Sequence, residues 1–227
     1  MTDSNDRTIL VLDYDGTLHN SRIVYEAAFR TVMNEISDKG WIPHEDYTSE
    51  EINYWIGFSA PEMWERFHPE LSDEQKDYAG RRIGRLMMDD IRDGKARLYN
   101  GVPEVMDRLK EDYELIFLSN CMEEYSKVHR KAFGLDRWFD RYFCTGYYGF
   151  KQKEQVFAEH IYKPGRRYIA VGDRIKDITL AAECGLGSIG CLYGFGSSEE
   201  LQGADLLIND ISELPDAVRK VERLRFV

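Results

Sequence analysis

Asp13 and Asp15, in the run Asp13-Tyr14-Asp15-Gly16-Thr17, stand two positions apart and follow directly on the apolar run Ile9-Leu10-Val11-Leu12. A carboxylate is a weak nucleophile, but beside a divalent cation and against phosphorus it can form an aspartyl-phosphate. A second carboxylate in the same cavity, when protonated, can give its proton to a departing alkoxide and later withdraw one from water. Gly16 permits the tight turn that closes such a site. Asp and Gly are also ordinary turn formers after a strand, so the pentapeptide takes its meaning from what stands at the other strand ends.

Ser119-Asn120 ends a second apolar run, residues 115–118, and brings a hydroxyl and backbone N–H groups suited to phosphate oxygens. Gly172-Asp173-Arg174-Ile175-Lys176-Asp177 follows a third, residues 168–171, with two more carboxylates four positions apart. Hard oxygen donors of this kind suit magnesium, although Asp177 alone would read as a helix cap. Lys151 and Lys153 lie just before a helix that begins near Glu154. A lysine there can steady a nucleophilic carboxylate and a phosphate together, whereas either lysine taken singly reads as solvated surface.

Bringing these groups to one edge requires a particular scaffold. Short β-rich runs at 9–12, 115–118, 142–145, 168–171, 188–192 and 206–208 alternate, after Asn100-Gly101, with helical stretches. That alternation predicts a parallel sheet of βαβ units, whose functional residues gather at the carboxyl ends of the strands. From Ser21 to about Gly94 the pattern is instead helical, with Tyr25, Phe29, Val32 and Ile36 on one stripe and Ile83, Leu86, Met87 and Ile91 on another. The expected fold is therefore α/β, a Rossmann-like parallel sheet flanked by helices over residues 1–20 and 95–227, with an inserted α-helical domain at 21–94. The junctions at 19–21 and 93–100 form two crossings that allow hinge motion. Trp55-Ile56-Gly57-Phe58-Ser59 reads either as a loop facing the sheet domain, with Gly57 allowing close approach, or as part of the insertion's own small core with Met63 and Trp64. His19, four residues past Asp15, reads either as a linker residue or as a group touching substrate at the hinge, the linker being favoured.

Composition narrows the function classes. With 227 residues, 43% hydrophobic and 31% charged, the chain has the balance of an ordinary soluble protein able to bury its own core. A net charge of −11 disfavours a surface that tracks nucleic-acid backbones. No run approaches the roughly 20 apolar residues of a membrane span, and residues 1–7 are polar, so a cytoplasmic protein is expected. The four cysteines form no C-x-x-C pair and read as free thiols.

Asp13-x-Asp15-Gly-Thr17, then Ser119, then a lysine, then Gly172-Asp173-x-x-x-Asp177, in that order on successive strands, resembles the haloacid dehalogenase superfamily. The helical insertion after the first motif resembles the cap of its phosphoglycolate phosphatase and β-phosphoglucomutase branch. The resemblance implies that Asp13 is nucleophile and metal ligand, and that Asp15 is general acid and base with its backbone carbonyl on the metal. It implies that Thr17, Ser119 and Asn120 bind phosphate, that Lys153 pairs with Asp13 and phosphate, that Asp173 ligates Mg2+, and that Asp177 supports it. Many relatives place a proline after the motif lysine, whereas this chain reads Lys151-Gln152-Lys153-Glu154. Lys153 is favoured because Val156 and Phe157 follow at helical spacing, and Lys151 stays open. Dehalogenases of the superfamily lack a carboxylate at the position of Asp15, and its phosphonate hydrolases use a cap lysine, whereas the first lysine here is Lys39. The implied activity is Mg2+-dependent cleavage of small phosphomonoesters of phosphoglycolate, sugar phosphate or nucleotide type, by a monomer or homodimer. A phosphomutase and a catalytically silent regulatory module are the alternatives.

Overall fold

The computed structural model describes residues 7–226. Six parallel strands form one sheet: β1 (Ile9–Leu12), β2 (Glu114–Ser119), β3 (Arg141–Cys144), β4 (Tyr168–Gly172), β5 (Gly187–Cys191) and β6 (Leu206–Ile208). Their order across the sheet is β3-β2-β1-β4-β5-β6. The expected strands all form; β3 and β5 each begin and end one residue earlier than their apolar runs suggest. The N-terminal residues 1–6 of the expected sheet domain lie outside the described residues.

β1 is central, and all four of its side chains are buried because both sheet faces are covered. Leu10 and Leu12 join Leu115, Phe117, Ile169 and Val171 beneath α5 (Val102–Asp112), α6 (Glu123–Phe133) and the C-terminal helix Leu214–Arg225. Ile9 and Val11 face the opposite way with Ile116, Leu118 and Ala170, packed by α7 (Lys153–Val156), the π-helical turn Phe157–Ile161 that continues it, and α8 (Ile175–Cys184). Each fully buried aliphatic side chain in these layers contributes about 1.5–3 kcal/mol. The two layers together fix the level at which every strand ends.

Between β1 and β2 the chain forms the inserted helical cap: α1 (Arg22–Asp38), α2 (Ser49–Asn53), α3 (Ala60–Phe67) and α4 (Asp73–Arg92). The apolar stripes of α1 and α4 pack on each other, with Phe29, Val32 and Ile36 wholly buried. Capping boxes at Thr48/Glu51 and Ser72/Gln75 satisfy the first backbone donors of α2 and α4. The two crossings run side by side. Asn20 N donates to Arg97 O at 2.9 Å and Tyr99 N to Leu18 O at 2.9 Å, so the cap leaves and rejoins the sheet through one paired ribbon. Among the described residues no helix is long and apolar enough to cross a membrane.

Candidate active site

β1 delivers Asp13 and β4 delivers Asp173 to the same sheet edge, and the first turn of α8 brings Asp177 beside them. One carboxylate oxygen from each of the three lies within 4.8 Å of the others, and all three residues are buried. The turns are built for this closeness. Gly16 has φ +87°, and a Cβ there would stand 2.2 Å from Asp173 Oδ2; a Cβ on Gly172 would stand 2.0 Å from Asp177 Cγ. Thr17 Oγ1 donates to Asp173 Oδ1 at 3.1 Å and Phe195 N to Asp173 Oδ2 at 2.8 Å, which locks that side chain.

Lys153, only 3% exposed, is the ammonium of this cluster. Its Nζ is 2.8 Å from Asp13 Oδ1 and 2.7 Å from Asp177 Oδ1. Lys151 instead lies outside the cluster and pairs with Glu159 at 2.6 Å. The register of α7 separates them: Lys153 shares the helix's buried face with Val156, while Lys151 precedes the helix on the exposed side. Burial works against the lysine's charge, but Asp13 and Asp177 outweigh it and hold its pKa above the ordinary value.

With all three carboxylates ionised, one ammonium would leave two negative charges in a buried space, a state that the site resists without a cation. Burial is the chief reason that the Asp13 pKa is pushed up to about 7, with Lys153 opposing and Asp177 adding to the rise. Burial and the Asp13 charge raise that of Asp173 well above the carboxylate range. A compact all-oxygen donor set with this charge deficit fits a hard divalent cation such as Mg2+.

The side chain of Asp15, 16% exposed, makes its hydrogen bonds outside this cluster. His19 Nδ1 is 2.8 Å from its Oδ1, and the Tyr125 hydroxyl donates to the same oxygen at 2.9 Å. Burial would raise the Asp15 pKa, but the hydrogen bonds from His19 and Tyr125, with the nearby imidazoles, bring it below the ordinary value. Ser119 is buried at the end of β2, and Asn120 Oδ1 accepts from Thr145 Oγ1 at 3.1 Å.

Comparison with known proteins decides the family to which this constellation belongs. The haloacid dehalogenase-like hydrolase family model matches residues 8–185, spanning all four motifs. The chain belongs to the haloacid dehalogenase-like hydrolase family. It is 30% identical over 133 residues to the pyrophosphatase PpaX of Listeria monocytogenes serotype 4a (strain HCC23), covering 58% of this chain and 57% of that protein. With the phosphoglycolate phosphatase of Agrobacterium fabrum the identity is 29% over 134 residues, covering 55% and 56%. The chain thus spans about half the length of the curated relatives it matches. A predicted phosphatase from Clostridium acetobutylicum has the same fold, with a TM-score of 0.80, 23% identity and coverage of 95% of this chain and 99% of that one.

This haloacid dehalogenase-like chain carries further residues that its motifs alone do not single out. Arg174, between Asp173 and Asp177, is buried and reaches into the cap, donating from one guanidinium nitrogen to Tyr54 O at 3.0 Å and Ile56 O at 2.6 Å; Nε holds Glu200 at 2.8 Å. Asn120 Nδ2 donates to Gly57 O at 3.0 Å, and Lys176 pairs with Glu62 at 2.7 Å. The 55–59 loop therefore does face the sheet domain, while Ile56, Met63 and Trp64 also pack the cap interior. His19 is no bare linker: it is fully buried and stacked on Tyr14. A signal for α6 existed in the four-residue spacing of Tyr125, His129 and Phe133, but nothing local revealed that this stripe meets the Asp15 loop.

Proposed function

We propose that this protein is a Mg2+-dependent phosphohydrolase of small phosphomonoesters, working through an aspartyl-phosphate on Asp13. The observation that carries the reading is the placement of Lys153 on Asp13 within the three-carboxylate cluster. Lys153 keeps Asp13 available as an anion in a buried setting that otherwise favours its protonated form. The side chains of Asp13 and Asp173 would hold the metal with the Asp15 carbonyl, and Asp177 would support it. The bound ion would supply positive charge against the phosphate and against the carboxylates.

Asp13 attacks phosphorus, the ester oxygen leaves, and Asp15 gives that oxygen its proton. Asp15 must be protonated for this step, and the negative charge of an arriving phosphate favours that state by raising its pKa. Once ionised, Asp15 is suited to draw a proton from the water that hydrolyses the acyl phosphate. The Ser119 hydroxyl and the backbone N–H of Asn120, at the end of β2, would take phosphate oxygens, the Asn120 side chain being engaged by Thr145 and Gly57. Thr17 acts by holding Asp173.

The cap limits the substrate. Arg174, Asn120 and Lys176 tie the cap loop over the strand ends, a closure that suits a small phosphorylated metabolite and keeps bulk water out. Phosphoglycolate, sugar phosphates and nucleotides are the classes to screen. The test is phosphate release from such a panel, with and without Mg2+ and with a chelator, comparing the native protein with Asp13→Asn. Release that needs Mg2+ and disappears in the variant supports the reading. No release from any ester by the folded, Mg2+-supplemented protein overturns it, and ester isomerisation without net phosphate would assign a phosphomutase.

A further inference from the structure

We infer that His19 and Tyr125 are positioning residues for the general acid, gripping one oxygen of Asp15 so that the other is presented to the leaving group. The inference rests on the phosphohydrolase reading and extends it to residues outside the four motifs. Among the described residues, both hydrogen bonds of the Asp15 side chain fall on Oδ1, from His19 Nδ1 at 2.8 Å and the Tyr125 hydroxyl at 2.9 Å. With Oδ1 claimed twice, the carboxyl plane is fixed and Oδ2 is the oxygen able to carry the transferable proton. As that proton passes to the departing alkoxide, negative charge grows on Asp15, and both donor bonds strengthen. They therefore favour the transition state over the ground state, the condition for a contribution to rate.

The grip is itself held. His129, buried and one turn beyond Tyr125 on α6, places its ring 4.4 Å from the Tyr125 ring and 4.5 Å from that of His19. The Tyr14 hydroxyl bonds His129 Nδ1 at 2.7 Å, and Tyr14 stacks on His19. Four side chains from the loop after β1 and from α6, Tyr14, His19, Tyr125 and His129, thus pack on one another around Asp15. Ordinary core packing would account for buried aromatic rings. It does not account for two donors, one from the loop after β1 and one from α6, converging on a single oxygen of one carboxylate.

The experiment uses leaving-group dependence, which a merely structural role does not move. An aryl phosphate such as p-nitrophenyl phosphate releases a stabilised anion and needs little help from a general acid, whereas an alkyl phosphate releases an alkoxide that must be protonated. Native protein, Tyr125→Phe, His19→Val and His19→Asn are compared on p-nitrophenyl phosphate and on the fastest alkyl ester of the panel. General acid–base catalysis contributes about 10²–10⁴-fold. Weakened positioning should therefore lower the alkyl-to-aryl ratio of kcat about tenfold or more in Tyr125→Phe and His19→Val. His19→Asn, which keeps a donor near the Nδ1 position, should recover most of that ratio. Tyr125→Phe removes a single hydroxyl and decides the matter alone if His19→Val does not fold. Equal losses on both esters, or an unaltered ratio, overturn the inference while leaving the phosphohydrolase reading intact. Absence of turnover on both esters in the native protein overturns the two together.

Discussion

Lys153 Nζ bridges Asp13 Oδ1 and Asp177 Oδ1 at 2.8 and 2.7 Å, so a single buried ammonium serves both the proposed nucleophile and a second carboxylate of the proposed metal site. Lys153→Met keeps the bulk of the side chain and deletes the charge. Phosphate release should fall about 10²–10³-fold, as when a preorganised electrostatic partner is removed. Losing one partner of a buried ion pair costs about 3–5 kcal/mol, so the metal-free variant should unfold at lower urea. Added Mg2+ should restore part of that loss, which a urea titration with and without the metal will measure.

The metal-free site should reveal itself through pH. Asp13 moves from its ordinary 3.8 to about 7, so the folded protein keeps a proton that the unfolded chain has already released. Stability from this group is complete below about pH 4 and is lost as pH rises through about 7. Mg2+ competes with the same proton, so its apparent affinity should rise about tenfold or more per pH unit below 7 and level off above it. Thermal-shift titrations with Mg2+ from about pH 5.5 to 8.5 check the slope; a flat affinity contradicts the assignment of Asp13 to the metal.

Gly57 and Arg174 fit closely together where the cap loop meets the sheet domain. Gly57 has φ +93°, and a Cβ there would stand 2.7 Å from Arg174 Cγ. Gly57→Ala should push the two apart, and Arg174→Lys should lose the fork that serves Tyr54 O, Ile56 O and Glu200 at once. Each should raise KM about tenfold, with a smaller effect on kcat. Hydrogen exchange of the 54–58 backbone should speed up in both variants, and unaltered exchange with unaltered KM would contradict a closing role.

The parallel sheet was legible because its strands are continuous β-rich runs, and Ile9 to Leu12 is wholly buried as such a run requires. The contact of Lys153 rather than Lys151 with Asp13 was legible for a similar reason, through the helical spacing to Val156. Contacts made across the chain left no such local trace. Tyr125 meets Asp15 from 110 positions away, and Arg174 reaches cap carbonyls about 120 positions earlier. His19 read as linker because a lone imidazole after a turn carries no periodic signal, and its burial comes from Tyr14 and the rings of α6. Thr17 read as a phosphate ligand through resemblance, while its hydroxyl is engaged by Asp173.

In the proposed reaction Asp13 becomes phosphorylated. Mixing protein, Mg2+ and the fastest ester of the panel, quenching in acid within one turnover and mapping peptides by mass spectrometry tests it directly. A transient phosphoryl group should appear on the peptide containing Asp13, absent without Mg2+ and absent in Asp13→Asn. Turnover by the native protein with no phosphoryl group on that peptide at any quench time, or with the group on another residue, would contradict it.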